Sequence, residues 1–103
     1  MKIIQQLSDH IDEEILDADK YAREALLHKD DNRKLADVYA RLSEEELGHM
    51  QRLHDAVVQI IQEYRQKNGE PPAEMLAVYN YLHERQIDHV SDVKRLQDIY
   101  KKN

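Results

Sequence analysis

Helix breakers are nearly missing from this chain. Its 103 residues include two glycines and two prolines, and three of those four fall in one short stretch, GEPP at 69–72. So few turn formers, with 35% of residues charged, favour a helical chain over a sheet-rich one. Two breaks stand out. The first is HKDDNRK at 28–34, where Asp31 or Asn32 can cap a following helix. The second is KNGEPPAE at 67–74, where Gly69 suits a helix C-terminus and Pro71–Pro72 suit the first turn of the next helix. A single domain of three long helices is predicted, over about 2–28, 33–68 and 72–101. Short connections make sequential helices antiparallel, so the expected fold is an all-α, up-down-up bundle.

Composition removes several classes of function. The chain has no cysteine, so disulfides, thiolate metal sites and thiol catalysis are excluded. A formal charge of −6 without a basic stripe argues against nucleic acid or an anionic membrane as partner, and makes cations the natural one. The opening MKIIQQLSDHIDEE lacks the apolar core of a secretory leader, and no apolar run approaches membrane-spanning length; a soluble, cytoplasmic protein is expected. The string starting at His83-Glu84 fails as a zinc signature because position 87 is isoleucine. Gly48 and Gly69 cannot build a phosphate-cradling loop, and no serine lies in a nucleophile-elbow context.

Following each helix at alternating three- and four-residue steps gives three inward stripes. The first reads Ile4, Leu7, Ile11, Glu14, Ala18, Tyr21 and Ala25. The second reads Leu35, Tyr39, Leu42, Glu46, His49, Leu53, Ala56, Ile60 and Tyr64. The third reads Met75, Tyr79, Leu82, Gln86, His89, Val93, Leu96 and Tyr100. Each is apolar or tyrosine at its ends and polar in its middle.

Height along the bundle decides whether those polar positions meet. Counting outward from the first connection, at about 1.5 Å per residue, Glu14 and Glu46 come within roughly one turn of each other, and Tyr21 and Tyr39 form a neighbouring layer. Counting from the second, His89 comes level with Met50 and Asp92 with Leu47. Glu14, Glu46 and His49 are therefore the first candidate metal ligands, with His89 and Asp92 as further ones. A bare carboxylate inside a bundle costs several kcal/mol unless paired or coordinated, and two at one height repel unless a cation lies between them. Carboxylate oxygens with an imidazole nitrogen suit iron, manganese or zinc. Glu46-x-x-His49 puts both side chains on one helical face, within reach of one ion.

Glu14 on the first helix, with Glu46 and His49 in EEELGHMQRLH on the second, resembles the ferritin-like superfamily, the rubrerythrin and bacterioferritin relatives. The resemblance covers roughly residues 8–62. It implies a di-iron carboxylate site with ferroxidase or related oxygen or peroxide oxidoreductase activity, with Tyr21 and Tyr39 nearby. The family's full site takes a glutamate from each of two helices and Glu-x-x-His from each of two others, whereas the third helix here offers Gln86-x-x-His89. Two completions follow. A homodimer pairing its first hairpins would supply two copies of Glu14, Glu46 and His49, as in the short encapsulated ferritins that the arrangement resembles. Alternatively, the third helix gives His89 and Asp92 to an incomplete or mononuclear site. The homodimer meets the ligand count and is the preferred expectation.

The rival expectation is a non-catalytic helical interaction or assembly protein, whose polar layer is an ion pair that sets register and partner choice. His10, Glu13 and Asp17 read as solvated neighbours of the candidate site, and His54 as a surface residue. Gly48, mid-helix, costs about 1 kcal/mol relative to alanine and would let another helix approach.

Overall fold

The computed structural model describes residues 1–102, which form three α-helices in sequence: α1 (Lys2–His28), α2 (Arg33–Asn68) and α3 (Ala73–Lys101). The expected breaks are where the chain turns. Asn32 caps α2, its Oδ1 accepting from the Leu35 N–H at 3.1 Å. Gly69 closes the same helix at φ 77°, a left-handed value that disfavours any residue with a Cβ. The prolines sit slightly differently from expectation. Pro72 is the residue before α3, with ψ at 138°, and its carbonyl accepts from Met75 and Leu76. An extended Pro-Pro step aims the chain into α3 without belonging to its first turn.

The helices pack into a rod of 56 × 19 × 18 Å. Its buried seam on α1 is Ile4, Ser8, Ile11, Ile15, Ala18, Ala22 and Ala25. The expected stripe shares Ile4, Ile11, Ala18 and Ala25 with this seam but alternates the other way between them. Leu7, Glu14 and Tyr21 are half-buried on the seam's flank, while Ser8, Ile15 and Ala22 lie inside. The same rotation holds on α2, where Ala36, Ser43, Leu47, Val57 and Ile61 are buried and Tyr39, Leu42, Glu46, Leu53, Ala56 and Ile60 flank them. On α3, Gln86, Val93 and Tyr100 are buried as the stripe predicted.

The rotation has a cause: α3 covers one side of the α1–α2 hairpin, and small or polar residues let it approach there. Gln86 Nε2 donates to the Ser8 carbonyl (3.3 Å), Ser8 Oγ (3.1 Å) and Asp12 Oδ1 (2.9 Å). Ser43 joins all three helices, its hydroxyl donating to the Ala18 carbonyl at 2.7 Å and accepting from Gln97 Nε2 at 2.8 Å. Near the far end the Tyr100 hydroxyl donates to Asp37, and Lys101 pairs with Glu44 at 2.8 Å. Against α3, then, α1 presents Ser8, Asp12 and Asp19 and α2 presents Asp37, Ser43 and Glu44. At 3.6 residues per turn, Glu14 points roughly 120–160° away from Ser8, Asp12 and Asp19, and Glu46 roughly 160–180° away from Asp37 and Glu44. The hairpin therefore has two apolar flanks, one beneath α3 and one open. Among the described residues, no helix is long and apolar enough to cross a membrane.

Candidate metal centre

The open flank holds the polar layer. Glu14 of α1 faces Glu46 and His49 of α2, and ligand-capable atoms of all three lie within 4.8 Å of one another. His49 Nδ1 is 3.5 Å from Glu14 Oε2 and 3.8 Å from Glu46 Oε2. Exposure is graded outward: 18% for the Glu46 side chain, 27% for Glu14 and 51% for His49. The carboxylates thus form the floor and the imidazole the rim. Leu7, Tyr21, Leu42 and Leu53, all half-buried, surround the layer along the flank. Tyr21 stacks on Tyr39 with ring centroids 6.0 Å apart, so the expected tyrosine layer forms beside the site.

The electrostatics of this layer are strained. Glu14 Oε2 is buried and has no hydrogen-bond partner. Two ionised carboxylates have no proton to share, so one must hold a proton or a cation must lie between them. The consequence falls on Glu46, whose pKa rises from 4.5 to about 7. The hydrogen bond that a protonated Glu46 would give Glu14 is the main cause, burial the next and the Glu14 charge the third, while His49 pulls the other way. Asp17, expected from the sequence to be a solvated neighbour of the site, raises it further.

His89 and Asp92 do not join the layer. His89 Nε2 lies 3.0 Å from Asp19 Oδ2, on the α3-covered side of α1. Asp92 points to solvent and meets Arg95 at 3.3 Å. Matched height was insufficient, because α3 lies on the opposite flank from Glu14 and Glu46. His54 also departs from expectation: it is half-buried, stacked on His83 with centroids 4.7 Å apart. Gly48 is exposed, and a Cβ built on it would meet nothing within 4 Å, so no helix of this chain uses the space it leaves.

No family model, curated protein or solved structure matches this chain. The geometry of the layer therefore carries the functional reading.

Proposed function

We propose that Glu14, Glu46 and His49 form half of a divalent-metal site, completed when a second copy packs its α1–α2 hairpin against the open flank. The observation supporting this most directly is the buried, unpartnered Glu14 Oε2 facing a second carboxyl group. The donor set fits a metal. Two ligands bound at about 2.1 Å to one ion stand about 3–4 Å apart, so donors already within 4.8 Å need to close by only about an ångström. Three donors leave coordination positions vacant on one ion. A symmetric dimer doubles the set to four carboxylates and two imidazoles, the complement of a ferritin-like di-iron site. Pairing would also cover Leu7, Leu42 and Leu53, which this chain leaves half-buried.

Iron is the metal this reading favours, with manganese or zinc served by the same donors. A bound iron pair would supply Fe(II) oxidation by dioxygen or peroxide, that is, ferroxidase-type chemistry. The chain's own part is to hold the donors on two rigid helices, neutralise the cations with Glu14 and Glu46, and exclude water with the surrounding apolar flank. A second reading has one feature in its favour: with its pKa raised to about 7, Glu46 can keep a proton and donate it in a hydrogen bond to Glu14, which would make a self-contained polar layer for an interaction or assembly protein.

Metal content and mass in solution distinguish these readings. Protein loaded anaerobically with Fe(II), then desalted, should carry about two irons per dimer, and Glu14→Gln and His49→Ala should each lose them. Protein that retains no iron, manganese or zinc at any loading would leave the polar-layer reading in place.

A further inference from the structure

Away from the metal layer, α3 is fastened to the hairpin unevenly. From Gln86 onward it is held by Gln86, His89, Gln97, Tyr100 and Lys101, each bonded to α1 or α2. Among the described residues, 73–85 make one side-chain hydrogen bond to the hairpin, through the Met75 sulfur, 2.9 Å from the Met1 ammonium. In that half a column of rings takes over. Tyr79 stacks on His83 (5.8 Å, 9° between planes), and His83 stacks across to His54 of α2 (4.7 Å, 19°). Beside the column a groove of about 400 Å³ separates the two helices, walled by Met50, Ile87 and Val90, with Lys94 also lining it.

We propose that the His54–His83 stack is a proton-operated latch: neutral, it holds residues 73–85 of α3 against α2, and doubly protonated, it releases them. Two neutral imidazoles stack favourably, whereas two imidazolium ions at the same spacing repel and both require water. The charged groups around the pair make release stepwise. From α2, Asp55 Oδ1 lies 4.0 Å from His54 Nδ1 and places a negative charge beside that ring. From α3, Glu84 favours a proton on His83, while burial and the His54 charge oppose it more strongly. Lys94, in the same groove, adds positive charge. From α1, Asp12 accepts a hydrogen bond from Gln86 at 2.9 Å. Gln86 also marks where opening stops, because the hydrogen bonds of its amide to Ser8 and Asp12 do not depend on either histidine. The groove supplies room for water to enter as the rings part.

Hydrogen exchange at about pH 7.5 and about pH 5, corrected for intrinsic rates, tests the latch. Amides of 73–85 should lose protection by a factor of about ten or more at the lower pH, while the α1–α2 hairpin keeps its own. His83→Phe, which retains a stacked ring without a charge, should abolish that loss. Equal protection at both pH values, or the same acid loosening in His83→Phe, would overturn the proposal. Should the variant fold poorly, imidazole titrations followed by NMR in the unmodified protein give an independent result. Coupled titration, with one ring resisting its proton until well below the other, supports the latch; two independent titrations near the ordinary histidine value refute it. None of these outcomes depends on whether metal binds at Glu14, Glu46 and His49.

Discussion

Replacing Glu46 with glutamine should make the metal-free protein more stable at neutral pH, the reverse of what removing a half-buried charged group from an ion pair ordinarily does. The Glu46 pKa is raised from 4.5 to about 7 by its hydrogen bond to Glu14, by burial and by the Glu14 charge. A group whose pKa is raised on folding binds its proton more tightly in the native state. Its contribution to stability is full below pH 4.5 and is lost as pH climbs towards 7. Unscreened, that span corresponds to about 3 kcal/mol. The layer opens to solvent at its His49 rim, and screening reduces the figure to about 1–2 kcal/mol. Glu46→Gln keeps the hydrogen bond to Glu14 and cannot ionise. With chelator present it should melt roughly 5–10 °C above the parent near pH 7.5 and match it near pH 4.5. Thermal and urea unfolding across that range would measure the difference. Added zinc or manganese should reverse the order at neutral pH, because the parent would gain binding energy that the variant cannot. A Glu46→Gln protein less stable than the parent at pH 7.5 under chelation would refute the shared-proton account of this layer.

Two further substitutions probe the packing. Gly48→Ala meets open space and removes a glycine from a helix interior, so it should stabilise the protein by about 1 kcal/mol in denaturant melts; destabilisation would mean that another helix occupies that space in the assembled protein. Ser43→Ala removes the hydroxyl that serves the Ala18 carbonyl and Gln97 together, and should cost about 1–2 kcal/mol, with hydrogen exchange rising in all three helices at that level.

The helix limits were legible because capping is local. Asn32 and Gly69 act through their own backbone neighbourhoods, and nothing distant needed to be known. The candidate site was legible for a related reason: Glu14 and Glu46 are brought level by a short connection, and the two helices it joins are neighbours in space. The side of the hairpin that α3 would take was not legible. Leu7 or Ser8, Tyr21 or Ala22, and Leu42 or Ser43 offer two equally good helical stripes, and hydrophobicity favours the larger residue of each pair. Ser8, Ala22 and Ser43 are buried because α3 needs small side chains to approach and Gln86 and Gln97 need partners, neither of which one stripe reveals. His89 and Asp92 were misplaced for the same reason, as was His54, whose partner His83 lies on the helix whose seat was unknown.

The rod shape, 56 Å long and under 20 Å across, has a consequence for where disorder begins. In so slender a body each cross-section holds only a few core side chains, so one layer gains little from layers two or three turns away. Unzipping should start at the tips and move inward, with the middle third the last to open. Glu14 stands close to the middle of α1, twelve residues from Lys2 and fourteen from His28, and Glu46 is thirteen residues into α2. Its layer therefore lies several turns from either tip, and its geometry can persist through fluctuations that open either end.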